Sequence, residues 1–450
     1  MRRTAWHNMQ QLAWQSRWQG GWLRGRRGLL KKIVGLGVLL GLVFAGPVGV
    51  ATSLRAEEHA IPIRIAAGPH GRTQVPVRVP VELPAGKWVS ASLRTAAGAT
   101  FPAQLTAPSL AARDPETGGG ARGEVCFLLP ELAAEQELAA TITLSTTPRP
   151  LGPEFAWLEG GPGVAELRYD DRPVMRAMLP ALDESTPEKR AETYKPYHHL
   201  FDATGQLLLT KGPGGLFPHH RGLFYGFNKI RYGTDQGADT WHCNKGEFQS
   251  TEGIVAREAG PVVGGHRLHV AWHGRDGAVF ADELRELTAW NTPRGVLIEI
   301  ASRLTSRVGP IELDGDPQHA GFQFRATQRV PDETKDKTRY LRPDGLGEPG
   351  QFRNWPDVKT HVNLPWHALL FVVGNQDYSA CFVDHPQNPK DSRFSERDYG
   401  RFGSYFETRV DTDRPLFIRY RFWLQSGALT APQAESLSRD FVTPPVVTGG

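Results

Sequence analysis

The chain has 450 residues, a formal net charge of +4 and a hydrophobic fraction of 40%, which is ordinary globular composition and excludes a disordered chain. It contains one long apolar run, so a multi-span membrane protein is also excluded. The 49 glycines and 35 prolines, together with 21 phenylalanines and 12 tryptophans, favour β-rich structure with many turns.

The first 56 residues have the pattern of an export signal. They hold nine of the 52 basic residues and none of the 48 acidic ones, so residues 57–450 carry a net charge of −5. Nucleic acid is not an expected partner, because phosphate binding needs a basic body. Basic residues precede an apolar stretch over 33–50 and then small residues, which predicts a signal peptide or a membrane anchor. We expect an exported protein, periplasmic or extracellular, that contacts a membrane only through this segment if it stays uncleaved.

Beyond residue 56 the pattern is that of strands. Residues 72–84 alternate valine with polar residues and proline, which predicts a half-buried strand at a sheet edge. Residues 416–424 alternate apolar with basic residues, and no long amphipathic helix is expected. The sequence therefore predicts an all-β protein: a small β-sandwich domain over 57–147, a large antiparallel, supersandwich-like β-sandwich over 153–428, and a C-terminal tail over 429–450.

The three cysteines do not indicate a metal site or a disulfide framework. Cys126, Cys243 and Cys381 are far apart and lack zinc-finger spacing. A metal corner of Trp241-His242-Cys243 with His219 or His220 is conceivable, but a buried Trp-His-Cys segment is favoured over it. We therefore predict no metal ligands, and the sequence does not indicate which cofactor, if any, the protein uses.

Nine of the fifteen histidines lie between 198 and 319, and two of them lie in a stiff loop. Residues 211–222 combine glycines and prolines with His219, His220 and Arg221. Such a loop presents two imidazoles and a guanidinium at a fixed place. Histidine suits proton transfer near neutral pH. We predict His219 and His220 as catalytic residues and Arg221 as substrate-binding, with a structural polar loop as the alternative.

Two further segments have clustered ionisable groups. Asp316 and His319 precede an alternating strand in which His319, Gln323 and Arg325 share a polar face. We expect His319 to be catalytic, and Asp316 and Gln323 to bind substrate; a simple Asp-Gly-Asp turn is the alternative.

Residues 394–406 mix arginines, acids and aromatic residues, a composition suited to sugars. Here Glu396 is the predicted base, and Arg397 and Tyr399 are predicted to bind substrate, with Trp241 or Tyr399 as a stacking wall. A surface ion-pair loop is the alternative.

Six runs of sequence together resemble a known family. They are residues 196–200, 210–226, 239–243, 314–321, 353–356 and 394–406. Over roughly residues 165 to 428 the chain resembles the PmoA-like family of unknown function. The family name refers to a subunit of methane monooxygenase, which is a multi-span membrane protein, so the sequence argues against that role. The chain is also similar, more weakly, to galactose mutarotase-like large β-sandwich proteins, and this resemblance implies histidine and carboxylate chemistry on a sugar.

Two functional hypotheses follow. The first is an exported carbohydrate-processing enzyme, a lyase, hydrolase or epimerase, that uses His/Glu acid–base chemistry on a sugar or oxidised sugar. The second is a non-catalytic protein that binds a glycan or a metal. Either way, the expected partner is a small molecule or a glycan. Histidines and Glu396 around one small pocket would favour the enzyme, whereas three groups converging at metal-bond distance would favour a metal site.

Overall fold

A computed structural model describes residues 57–112, 123–148, 152–316 and 318–449. The predicted export segment, residues 1–56, lies outside these ranges. Within them, no helix is both long and apolar enough to cross a membrane. The described residues from Glu57 onward belong to one compact unit.

Strands account for most of the described chain. In chain order they are β1 (Glu58–Ala66), β2 (Arg72–Val81), β3 (Ser90–Thr95), β4 (Thr100–Thr106), β5 (Gly123–Leu132), β6 (Glu137–Ser145), β7 (Phe155–Glu159), β8 (Val164–Tyr169), β9 (Arg172–Met178), β10 (Tyr197–Leu200), β11 (Leu223–Phe227), β12 (Lys229–Tyr232), β13 (Gln236–Ala238), β14 (Phe248–Glu258), β15 (Val263–His273), β16 (Val279–Trp290), β17 (Val296–Ser306), β18 (Ile311–Asp314), β19 (Ala320–Arg325), β20 (Arg339–Arg342), β21 (Gly345–Leu346), β22 (Trp366–Val373), β23 (Gln376–Asp384), β24 (Arg393–Arg397), β25 (Arg401–Tyr405), β26 (Thr408–Val410), β27 (Leu416–Ser426) and β28 (Val446–Thr448). The helices are α1 (Pro187–Thr193) and α2 (Ala431–Val442), with a π-helical turn at Val330–Thr334 and a 3₁₀ turn at Lys335–Lys337.

The prediction of an all-β, antiparallel sandwich is confirmed. An eight-stranded sheet has the order β24-β25-β19-β11-β10-β9-β8-β7, and a nine-stranded sheet has the order β14-β15-β16-β17-β27-β23-β22-β20-β21. Their apolar faces form one core, in which Phe324 stacks on Phe422 at 5.0 Å and Phe322 on Tyr420 at 5.4 Å. A four-stranded sheet, β13-β12-β18-β26, completes this region.

The first six strands form a separate seven-stranded sheet with β28, in the order β2-β5-β4-β3-β6-β1-β28. This sheet has its own aliphatic core. Strand β2 lies at the sheet edge, as its prolines predict, because proline lacks the N–H that an inner strand would donate. The domain boundaries at 147 and 153 stay predictions.

The predicted C-terminal tail over 429–450 contains α2 and β28. Thr430 and Gln433 cap α2 reciprocally, and Pro432 lies in its first turn, where proline costs no hydrogen bond. The helix packs Ala434 into an apolar cluster that includes Cys126 of β5 and Trp366 of β22. Because the helix is short and has few apolar residues, its sequence lacks the long helical periodicity that would predict it.

The eight-stranded sheet has one apolar and one polar face. Because side chains alternate along a strand, Phe324 and Phe402 face the core while Gln323, Arg325 and Arg401 face the other way. The registers of β24 and β11 extend this polar face to Ser395 and Phe224. Two loops, 211–222 and 239–243, lie against it. Among them, Tyr197, Phe224 and Trp241 form a small apolar cluster.

Candidate functional site

Three histidines from three separate segments meet beside the polar face. His219, His242 and His319 each offer a ring nitrogen, and these atoms lie within 4.8 Å of one another. The ring centroids of His219 and His242 are 4.6 Å apart, and those of His242 and His319 are 4.7 Å apart. All three side chains are half-buried.

The loop that contains His219 is held closed by its own backbone and by a lysine. Gly222 donates its N–H to the carbonyl of Lys211 at 2.8 Å, and Arg325 donates to the carbonyl of Gly222 at 2.8 Å. The buried ammonium of Lys211 bonds the carbonyls of Gly212, Phe217 and His220. Gly222 has φ +26°, and a Cβ there would collide with the carbonyl of His198. The loop geometry therefore depends on this glycine and this lysine.

The other two histidines lie in matching Asp-x-x-His turns. In the first, Asp239 accepts the N–H groups of Trp241 and His242 at 3.0 and 2.8 Å, and its other oxygen lies 2.8 Å from His242 Nδ1. In the second, Asp316 accepts the N–H of Gln318 at 2.9 Å and lies 2.8 Å from His319 Nδ1. Each carboxylate orients its imidazole and favours the tautomer with the proton on Nδ1, which leaves Nε2 as an acceptor.

These features fit a divalent metal. Neutral imidazoles oriented by carboxylates are the usual protein ligands of zinc and related ions, and three ligands with an open position are typical of catalytic rather than structural sites. His219 Nε2 is buried without a hydrogen-bond partner, which is costly unless a ligand binds it. In tetrahedral zinc sites the ligand nitrogens are about 3.4 Å apart, so small rotations of the three rings would bring their nitrogens to the spacing of a zinc site. Cys243 is not part of the cluster, because its thiol bonds the carbonyl of Thr240.

His220 lies next to the three histidines and has both ring nitrogens buried and unpartnered. Its ring centroid is 4.3 Å from that of His219 and 6.1 Å from that of Tyr399, on which it stacks. Trp241 contacts it edge-on at 5.5 Å, and Phe217 at 5.5 Å lies at the solvent side. Aromatic rings thus surround an imidazole whose two nitrogens form no hydrogen bond within the described part of the chain.

Burial and nearby cations keep this pair of imidazoles neutral. Burial is the largest cause that lowers the pKa of His219 far below its ordinary value, followed by the charge of Lys195. Burial and then Arg401 lower the pKa of His220 well below its ordinary value. Both rings are therefore uncharged at neutral pH, the state in which an imidazole binds metals or accepts a proton.

The structure brings seven of the ten predicted site residues together. His219, His220 and His319 lie within one cluster, with Asp316 fixing His319 as described above. Trp241 contacts the ring of His319 at 6.2 Å. Tyr399 lies against His220, and Gln323 accepts a hydrogen bond from Arg401 at 2.9 Å.

Glu396 does not belong to this site, and its predicted role as the base beside His319 is wrong. It pairs in register with Phe402, so it faces the core side of the sheet, opposite to Arg401. There it is fully buried and bonded by Arg342 at 2.8 Å and by the N–H of Arg353 at 2.8 Å. Burial raises its pKa, but hydrogen bonds from His361, His367 and Arg342 outweigh this and hold the pKa well below its ordinary value.

Two predicted substrate-binding arginines have structural partners. Arg221 is fully buried, and each of its three nitrogens donates to a backbone carbonyl, those of Pro218, Glu192 and Ala191. Arg397 lies on the polar face but donates to Asn354 and to the carbonyl of Glu396. The alternation of side chains that separates Arg397 from Glu396 explains why the two do not act together.

A second histidine cluster, His361, His367 and Glu396, is fully buried. Its carboxylate already has a counter-charge in Arg342, and His361 Nε2 lies 3.3 Å from the same carboxylate. His367 Nε2 has no hydrogen-bond partner among the described residues, but Arg342 already neutralises the carboxylate, so we assign this buried ion-pair network a structural role.

Asp239, Arg325 and Arg401 are the site residues that the sequence prediction missed, whereas His242 was considered in a metal corner with His219 or His220 and set aside. The expectation of no metal ligands does not fit this geometry. The available signal was the repeated Asp-x-x-His spacing at 239–242 and 316–319. A single such spacing is common, but two of them, each turning a histidine towards its own carboxylate, predict a pair of metal ligands.

Comparison with solved structures finds similar chains of low identity. An α-mannosidase from Enterococcus faecalis V583 matches at 9% identity with a TM-score of 0.46, covering 87% of this chain and 46% of that one. A glycosyl hydrolase family 38 protein from Enterococcus faecalis matches at 10% identity with the same TM-score, covering 87% and 47%. This chain thus spans about half the length of either protein, and neither a substrate nor an activity follows from similarity at this level.

The search of curated proteins found no match. A family model described as "Family of unknown function (DUF6807)" matches residues 165–439, which is more than half of the chain. This agrees with the expected family of unknown function, while neither the PmoA-like name nor the mutarotase-like similarity finds support in the comparisons. The matched residues contain all three histidines of the cluster and both Asp-x-x-His turns. The chain belongs to this family of unknown function.

Proposed function

We propose that this chain is an exported carbohydrate-processing enzyme that uses a divalent metal held by His219, His242 and His319. The observation that carries the proposal is the convergence of three ring nitrogens within 4.8 Å, two of them on rings oriented by carboxylates. Bound there, a metal such as Zn²⁺ would polarise a substrate oxygen or lower the pKa of a water molecule.

The residues around the cluster support a sugar as the substrate. The partly exposed Phe217, whose ring centroid is 5.0 Å from that of the buried Tyr399, offers a ring that can cover the C–H face of a sugar. His220 is the acid–base group in place of Glu396, because its neutral imidazole has no protein partner and lies beside His219. The reaction class is a lyase, hydrolase or epimerase reaction on a sugar or oxidised sugar. A non-catalytic glycan- or metal-binding protein is the alternative, and the unpartnered His220 argues for turnover.

Metal binding is the first test. Isothermal titration of the metal-free full chain with Zn²⁺ should give one site per chain. His242→Ala should weaken it by more than the roughly 10- to 100-fold that loss of an outer-shell partner costs. His269→Ala is the matched control, because His269 forms the same kind of pair with Asp282 at 2.7 Å on a strand, away from the cluster. Equal Zn²⁺ affinity in His242→Ala and wild type would contradict the proposal.

Turnover is the second test. The metal-loaded chain is incubated with neutral and acidic sugars and oligosaccharides, and the products are followed by NMR. We expect a product that disappears after chelation, in His242→Ala and in His220→Gln, while His220→Gln keeps its Zn²⁺. Metal and sugar binding without any product would leave the binding-protein alternative.

A further inference from the structure

Two arginines on the polar face have hydrogen-bond donors that no group among the described residues uses. Arg401 donates from Nη1 to Gln323 at 2.9 Å and to Ser395 at 2.8 Å. Arg325 donates from Nη1 to the carbonyls of Ala326, at 3.0 Å, and Tyr399. In both side chains Nε and Nη2 are buried and have no partner. In each arginine, the two nitrogens along one edge of the guanidinium group, Nε and Nη2, are thus free to donate a parallel pair of hydrogen bonds.

Neither guanidinium has a counter-charge among the described residues, although both are 0% exposed. Other fully buried arginines of this chain are paired: Arg285 with Glu283 at 2.7 Å, and Arg342 with Glu396. Arg221 lacks a carboxylate, but its three nitrogens all bond carbonyls. A buried cation without partners is expensive in a folded protein, so the exceptions at Arg325 and Arg401 indicate that something else supplies the negative charge.

These free donors lie close to the histidine cluster. The guanidinium carbon of Arg325 is 4.9 Å from the ring centroid of Tyr399, which in turn stacks on His220. Arg401 is the cross-strand partner of Arg325 in the register of β19 and β25, so both guanidinium groups lie on the same face of the sheet. The free edges therefore belong to the same site as the three histidines, one aromatic ring away from them.

We propose that Arg325 and Arg401 bind the carboxylate of the substrate, which is then a sugar acid rather than a neutral sugar. Two side-on edges offer four N–H donors, and a carboxylate has about four acceptor positions. The planar fork of arginine matches the two oxygens of a carboxylate in a bidentate pair. This inference names the substrate class of the site and rests on the proposed function for the reaction, but its binding step needs no metal.

Binding is measured by isothermal titration with D-glucuronate, D-galacturonate and D-mannuronate, each beside its neutral sugar, and with glucose 6-phosphate. We expect at least one sugar acid to bind about 10- to 100-fold more tightly than its neutral counterpart, the range expected for a few charge-assisted hydrogen bonds. Arg401→Gln should remove that difference and keep its Zn²⁺. Arg401→Lys, which keeps the charge but loses the fork, should recover only part of it. Arg414→Gln, on the exposed surface, is the matched control.

Failure of the carboxylate-binding proposal can be distinguished from failure of the metal-dependent function. His242→Ala should lose Zn²⁺ but keep the preference for the sugar acid, so an absent metal leaves the carboxylate site testable. The ligand-free melting temperature provides an independent measurement: Arg401→Gln should not lower it, because it removes an unpaired buried charge, whereas Arg342→Gln should. Equal binding of acids and neutral sugars, tighter binding of glucose 6-phosphate, or an Arg401→Gln variant as destabilised as Arg342→Gln would overturn the proposal.

Discussion

Replacing Asp239 by asparagine should weaken metal binding while leaving the fold in place. The Asp239 carboxylate uses one oxygen for the N–H groups of Trp241 and His242 and the other for His242 Nδ1. In Asp239→Asn the amide oxygen stays on the two backbone donors, since two hydrogen bonds outweigh one. Its NH₂ group then faces His242 Nδ1 and favours the tautomer that has its proton on Nε2, the atom needed by the metal.

The expected loss is that of an outer-shell partner of a metal ligand. It amounts to about 10- to 100-fold in Zn²⁺ affinity, or about 1.4 to 2.7 kcal/mol. The cost in folding free energy should be smaller, about 1 kcal/mol, because a charge-assisted, partly exposed hydrogen bond becomes a neutral one and the turn remains. Zn²⁺ affinity is measured by isothermal titration or by competition with a chelator, and stability by urea unfolding of the metal-free chain.

Asp276→Asn is the matched control, because Asp276 likewise accepts a backbone N–H, that of Ala278 at 3.1 Å, in an exposed turn away from the cluster. It should bind Zn²⁺ like wild type. Asp316→Asn should weaken binding less than Asp239→Asn, because a single oxygen of Asp316 bonds both the Gln318 N–H and His319 Nδ1, and an amide oxygen can keep both. A folded Asp239→Asn variant with Zn²⁺ affinity within about twofold of wild type would refute the reasoning on tautomers.

Three further predictions concern the structure around the site. Glu396→Gln should lower the free energy of unfolding by about 3–5 kcal/mol, because it leaves Arg342 buried without its counter-charge; urea unfolding measures this, and a loss below about 1 kcal/mol would contradict it. Despite its burial, the Glu396 carboxyl has a lowered pKa in the folded state, so the stabilisation it gives is complete above its unfolded-state pKa of about 4.5 and is lost as the pH falls towards its folded-state pKa. The difference in unfolding free energy between wild type and Glu396→Gln should therefore narrow as the pH falls below the unfolded-state pKa. A difference that widens there would contradict this prediction. Gly222→Ala should disturb the loop over 211–222, because the φ of +26° at Gly222 and the nearby carbonyl of His198 leave no room for a Cβ. The affinity for Zn²⁺ should therefore fall. An unchanged affinity and melting temperature would contradict this prediction.

Much of the fold was predictable because alternation along strands is a local property. The valines of residues 72–84 and the apolar residues of 416–424 occupy buried positions in β2 and β27, since a period of two places them on one face whatever the partner strands are. The C-terminal helix α2 was missed because twelve residues with few large apolar side chains give a weak period. Strand β28 is three residues long and gains its place only by pairing with β1.

The site was predictable only in part. The polar face of His319, Gln323 and Arg325 follows from alternation, and alternation also excludes Glu396, which pairs with Phe402 on the core side. That exclusion needs the register between β24 and β25, which the sequence alone does not give. The convergence of His219 with His242 depends on two loops nearly twenty residues apart packing on one sheet, a tertiary contact without a local signature.

The most direct test of the metal centre is anomalous diffraction at the zinc edge from crystals of the Zn²⁺-loaded full chain. We expect one strong peak between His219, His242 and His319, about 2.0–2.1 Å from one nitrogen of each ring, and no peak there in His242→Ala crystals. A peak at the buried cluster of His361, His367 and Glu396 instead, or no protein-bound zinc in crystals that hold the three rings in this arrangement, would contradict it.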